Sequence, residues 1–361
     1  MAVPSSRPGT PADAGLVVPA GVHRTVLGTV VWPSRILVCA LTLAFAAGLR
    51  VPQEIQYLPF AASLIFFGLP HGAVDHLVPS RLSGRAATPY TVLAVGALYI
   101  VLSGLYLALW FSAPQAAFCL FITLTALHWG AGDLHALLAF GPSGLGEVGT
   151  ATRMLVLLSR GGIPMVVPLL AFPGVYRAVA ENTAGLFGAG ADGLSLVFSP
   201  AFRATAGVAL AGVVVLSVLC AARELPGHRR FLLPYVGETL LLTLYFALVP
   251  PVLAVGLYFC LWHATRHIAR LAPLDEDSAA ALEAGRPVPA ALRFARDAAP
   301  LTVAALLLLA GLSFGLPGSV EGPAALLALY LVLVSSLTLP HAAVVSYMDL
   351  RKGLWRRAKA R

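Results

Sequence analysis

The sequence predicts an all-α protein, a multi-pass transmembrane helical bundle of eight to ten spans. Three observations carry that prediction. The 361-residue chain is 58% hydrophobic and only 11% charged, with a mean hydropathy of +0.85, whereas soluble domains run near a quarter charged. Apolar runs recur from Ile36 to Tyr347, each close to the ~20 residues that cross a bilayer. The basic residues fall in the short connections between those runs, where they orient a membrane protein.

Residues 1–32 are rich in Pro, Gly and Ala and form a loose tail, without the compact apolar core of a signal peptide. Residues 33–349 form the transmembrane domain, with spans at 36–49, 56–78, 89–111, 115–140, 153–171, 203–222, 231–249, 251–271, 299–316 and 322–347. Pro52, Pro89, Pro114, Pro250, Pro251, Pro300 and Pro323 mark their boundaries. The first span is short and the Pro250-Pro251 break is tight, hence a count of eight to ten. Residues 172–202 are the longest external connection, and 272–297 a cytoplasmic loop with room for a short amphipathic helix. Residues 350–361 are a basic cytoplasmic tail. Cys39, Cys119, Cys220 and Cys260 lie in four different runs and read as small apolar residues, not as a disulfide framework.

With ten spans, both termini share a side with twenty Lys and Arg, against three on the other (Arg50, Arg177, Arg203), and Arg160 falls inside a span. That bias predicts cytoplasmic termini in the cell membrane. The net charge of +8 therefore reflects orientation, and no nucleic-acid partner is expected.

Ionisable groups are costly inside a bilayer and mark function there. Seven of the nine histidines lie in four spans. The second span ends Gly68-Leu69-Pro70-His71-Gly72-Ala73-Val74-Asp75-His76. His71 and Asp75, four apart, would share a helix face, and a carboxylate there can accept the second ring N–H of a metal-bound imidazole. The fourth span carries His128-Trp129-Gly130-Ala131-Gly132-Asp133-Leu134-His135, with His128 and His135 seven apart. The eighth carries Trp262-His263-Ala264-Thr265-Arg266-His267, whose HxxxH spacing brings two imidazoles to one metal from consecutive turns. The last span has Pro340-His341. A single membrane histidine is as often an interhelical hydrogen-bond donor; four such clusters point to a shared metal site between helices. Neutral imidazoles suit Fe(II), Zn, Cu or Ni, and the residues alone do not choose among them.

At these motifs the chain resembles the Brp/Blh family, membrane-bound β-carotene 15,15′-dioxygenases of microbes that supply retinal to rhodopsins. The matching elements are Gly68 to Asp75, His128 to Asp133, Trp262 to His267 and Pro340-His341, spread over residues 68–341. The resemblance implies Fe(2+) held by His71, His128, His263 and His267. It leaves Asp75, Asp133, His76, His135 and His341 behind those ligands. It further implies a reaction adding both atoms of O2 across the central double bond to give two retinals. The lipid bilayer, the carotenoid and O2 are the implied partners, and a microbial rhodopsin could receive the product. Phe66, Phe67, Trp129, Tyr258, Phe259 and Trp262 flank the histidines and are candidates to line a polyene tunnel. A relative carries His-Gly-Gly where this chain has Arg160-Gly161-Gly162.

An opsin-like retinal protein is excluded, because it needs a lysine inside a span and the only lysines are Lys352 and Lys359. A di-iron desaturase needs further His-rich motifs that are absent. A metal or proton transporter is the rival from another class; it predicts an aqueous path where the dioxygenase predicts an apolar tunnel.

Overall fold

With apolar side chains dominating and no water to satisfy backbone groups, a chain of this composition has to close its hydrogen bonds within helices. The computed structural model describes residues 18–141, 147–190, 192–225 and 229–355, and none of these forms a strand. The expected tail up to residue 17 and the basic tail from 356 lie outside the described residues.

The helices are α1 (Ala20–Ala46), α2 (Gln53–Leu82), α3 (Pro89–Ser112), α4 (Pro114–Phe140), α5 (Thr150–Ala171), α6 (Pro173–Gly185), α7 (Pro200–Glu224), α8 (Arg229–Leu248), α9 (251–271), α10 (Glu276–Glu283), α11 (Pro287–Gly315) and α12 (Gly322–Arg351). Among the described residues, eight of them are long and apolar enough to cross a membrane. Six of the twelve begin on a proline at the first position, where the missing N–H has no partner to lose. The bundle's outside is apolar, as lipid requires: Ile100 on α3 is 77% exposed and Phe314 on α11 is 90% exposed.

Local chemistry explains the departures from the expected spans. α1 starts at Ala20, well before 36, because a π-helical turn at Leu27–Val31 accommodates Pro33 without stopping the helix. α11 starts at Pro287 and runs through Pro300. The connection 172–202 contains α6, and the loop 272–297 contains α10, capped by the Asp275 carboxylate accepting the Ser278 N–H at 3.0 Å.

Two helices are irregular, and both carry histidines. α2 is broken into short helical pieces, with turns at 64–67 and Val74 and a 3-10 turn at Asp75–Leu77. α9 has a π-helical stretch at Tyr258–Ala264. Gly68 permits the break to pack tightly: a Cβ there would lie 2.6 Å from the Tyr330 hydroxyl and 2.7 Å from the Phe259 ring. At the α4–α5 crossing, a Cβ on Gly161 would fall 1.8 Å from the Ala126 carbonyl oxygen, so only glycine allows that approach.

Candidate metal centre

Five buried histidines from four helices meet at the centre of the bundle: His71 (α2), His128 (α4), His263 and His267 (α9) and His341 (α12). Ring centroids run round a closed circuit, His71–His263 5.6 Å, His263–His128 4.9 Å, His128–His341 4.7 Å and His341–His71 5.0 Å. His267 packs against all four, at 5.5 Å from His71, 6.3 Å from His263, 6.2 Å from His128 and 5.0 Å from His341. Donor atoms of His71, His128 and His341 lie within 4.8 Å of one another.

The hydrogen bonds fix which ring nitrogen is free. The Gly68 carbonyl can only accept, so His71 Nδ1 carries the proton that bonds it. His341 Nδ1 donates to Asp75 Oδ2 at 2.7 Å, and the same oxygen accepts the Tyr99 hydroxyl at 2.6 Å. The Nε2 atoms of His128, His263, His267 and His341 are buried with no partner. One orphaned buried nitrogen already costs of the order of 1–3 kcal/mol; four beside one another fit a shared cation, and neutral imidazoles are suitable donors for it. The glycines beside them seat the rings: Cβ atoms on Gly72 and Gly132 would lie 3.3 Å from His341 and 3.4 Å from His263.

The cluster separates two different spaces. On one side is a cavity of about 700 Å³, touched by His71, His128 and His341 and lined almost wholly by apolar groups, including Phe60, Phe118, Phe121, Trp129 and Phe259. Its exposed lining residues are Ile100, Pro300, Leu301, Ala304 and Leu308, all on α3 or α11, so its mouth opens between those helices toward the lipid-facing surface. On the other side is a void of about 10 Å³, bounded by Gly132, Asp133, His263, Arg266, His267 and Arg270.

Behind that void lies a buried ion cluster. Asp133 accepts from Arg160 Nε at 2.6 Å, Arg266 at 2.9 Å and the Trp262 indole N–H at 2.8 Å. Glu238 accepts from Arg160 at 2.7 Å and Arg35 at 2.9 Å, with Arg266 at 3.4 Å. Arg160 is fully buried. Deeper toward the chain terminus, Arg270 pairs with Asp349.

Several expected placements differ. Asp75 bonds His341 and not His71, because the helix breaks at Val74 and four residues no longer make one turn. Asp133 holds arginines and the Trp262 indole rather than a histidine. His135 is buried against Phe140, and His76, which lines the cavity, bonds the Ala73 carbonyl. Of the six flanking aromatics, Trp129 and Phe259 line the cavity; Phe66 is 64% exposed, Phe67 is half-buried outside the cavity lining, and Tyr258 and Trp262 face the ion cluster. Sequence reasoning missed Tyr99 and Glu238. Glu238 alone had a signal, as a lone carboxylate inside an apolar run.

A family model described as β-carotene 15,15′-dioxygenase matches residues 62–349. The chain is 40% identical over 338 residues to the probable β-carotene 15,15′-dioxygenase Blh of Halobacterium salinarum, covering 93% of this chain and 96% of that one. It is 32% identical over 342 residues to the probable β-carotene 15,15′-dioxygenase Brp of the same organism, covering 89% and 92%. A β-carotene 15,15′-dioxygenase of an uncultured marine bacterium shares 25% identity over 75 residues, 21% of this chain and 27% of that one. No solved structure matches the chain.

Proposed function

The chain belongs to the β-carotene 15,15′-dioxygenase family, and from that premise we propose that it is an iron-dependent enzyme of the cell membrane that cleaves β-carotene at its central double bond with O2. The double bond breaks, each of its carbons takes one oxygen atom, and two molecules of all-trans-retinal result. The observation that carries this reading is the juxtaposition of partnerless imidazole nitrogens with a large apolar cavity. His71, His128, His263 and His267 would hold Fe(II). When bound, the iron supplies the site where O2 is taken up and activated.

The remaining work falls to the protein. The mouth between α3 and α11 admits a lipid-dissolved hydrocarbon without a passage through water. The apolar walls desolvate the polyene and hold its central bond against the wall formed by His71, His128 and His341, an orientation task of the kind that contributes much of a barrier reduction. The Gly68 carbonyl fixes the His71 tautomer and so presents Nε2. Asp133 and the Trp262 indole brace α9, which carries both His263 and His267. The apolar lining supports a hydrocarbon substrate over an ion path. Both termini are cytoplasmic in this reading, and the retinal passes through the bilayer to a microbial rhodopsin.

Expression in cells that accumulate β-carotene tests the proposal. Wild type bleaches the orange colour and yields retinal, while His263→Ala leaves carotene intact and produces none. Carotene persisting with the wild type, or cleavage surviving in the variant, would refute it. Purified wild type also carries about one iron per chain by elemental analysis if one site is filled.

A further inference from the structure

We infer that His341 is a fifth imidazole donor to the same metal, completing a cage whose one remaining position faces the apolar cavity. The inference deepens the proposed function and rests on it. His341 is not behind the four expected ligands but among them: its ring closes the circuit between His128 and His71 at 4.7 and 5.0 Å, the first of these the shortest distance in that circuit. Its donor atom, with those of His71 and His128, lies in a group whose members are all within 4.8 Å of one another.

The chemistry of its two ring nitrogens points the same way. Nδ1 donates to Asp75, which is in turn held by Tyr99, while Nε2 is buried without a partner. A carboxylate on one nitrogen and a metal on the other is the usual setting of a ligating histidine. Asp75 thus has the supporting role toward His341 that sequence spacing had suggested toward His71.

The cage also has a direction. His71, His263, His128 and His341 form a ring of four, and His267 caps it from one side. The large cavity touches His71, His128 and His341, whereas His263 and His267, the two histidines of α9, border the small polar void. Five nitrogens around a six-coordinate Fe(II) would leave one position, and the side on which His71, His128 and His341 border the cavity is where it would be open.

X-ray absorption at the iron edge of the purified full-length protein counts imidazole nitrogens directly. We expect five in wild type, four in His341→Ala, and five again when free imidazole is added to His341→Gly. Iron affinity, read by chelator competition, falls at least ~10-fold in His341→Ala, and the imidazole restores it. Tyr99→Phe, which removes only the hydroxyl on Asp75, keeps the count at five. A wild type that holds iron through four imidazoles, with a spectrum unchanged in His341→Ala, overturns the fifth donor and leaves the proposed function standing. A wild type that binds no iron overturns both. Because the wild-type count alone decides the matter, poor folding of a variant does not protect the inference.

Discussion

The two faces of the histidine cluster are built on opposite principles. Toward α3 and α11 there is space, about 700 Å³ of it, bounded by mostly apolar side chains whose few polar groups, such as Tyr330 on Ser63 and His341 on Asp75, are tied off in pairs within the walls. Toward α5 and α8 there is almost none, and buried arginines and carboxylates lock α4, α5, α8 and α9 together through Asp133 and Glu238. A metal centre serving a lipid-soluble substrate needs both. Its ligands have to be held rigidly from one side while the other stays open to a large, featureless molecule. Putting the charges behind the cluster keeps them from competing for the cavity while fixing the helix that carries His263 and His267.

The sharpest break in that comparison is Arg160→Met. Arg160 is fully buried and neutralises both Asp133 and Glu238. Removing one partner of a buried ion pair typically costs ~3–5 kcal/mol when the other charge is left uncompensated; Arg266 and Arg35 remain on the two carboxylates here, which places Arg160→Met at the lower end of that range. Thermal unfolding in detergent should show a loss of that order. A change under about 1 kcal/mol, the scale of an exposed pair, would mean the cluster is wetter and weaker than its burial indicates.

A smaller effect separates the two carboxylates. Asp75→Asn loosens the hydrogen bond to His341 Nδ1, and loss of such a supporting partner typically lowers metal affinity ~10–100-fold, about 1.4–2.8 kcal/mol. Asp133→Asn touches no histidine ring, so chelator competition should register little change while stability drops. If the two variants lost iron equally, the division between a bracing face and a ligand-supporting face would be wrong.

How much of this was legible in the sequence follows from what one dimension can carry. Hydropathy located the membrane helices, since lipid imposes its requirement on each span separately. The motifs marked His71, His128, His263, His267 and His341 as exceptional for the same reason: each is costly where it sits. What failed was regular-helix geometry. The reading of His71 and Asp75 as one face assumed 3.6 residues per turn across Pro70 and Gly72, and the chain breaks there instead. Whether His341 stands among or behind the other histidines depends on how α12 packs against α2 and α4, which no spacing within α12 encodes. Arg160 was visible as an anomaly inside a span, yet its partners Asp133 and Glu238 are 27 and 78 residues away. Flanking aromatics do not all reach the cavity because neighbours in sequence on a helix point in different directions, as Tyr258 toward the ion cluster and Phe259 toward the cavity show.

The open face predicts the gentlest effect, on access alone. Gly96 lines the cavity near its mouth, and a Cβ added there meets nothing within 4 Å. Gly96→Trp should therefore fold as well as wild type, since tryptophan has a higher helix propensity than glycine. Its indole would stand in the path between α3 and α11. We expect the KM for β-carotene in lipid nanodiscs to rise several-fold, on the order of the 1 kcal/mol scale of a misfitted apolar contact, with kcat and bound iron unchanged. Gly104→Trp, on the same helix and equally free of neighbours but outside the cavity lining, is the matched control and should alter none of these. If both variants behaved alike, the hydrocarbon would be reaching the histidines by another route, and the lateral mouth would be a gap in packing without a role in access.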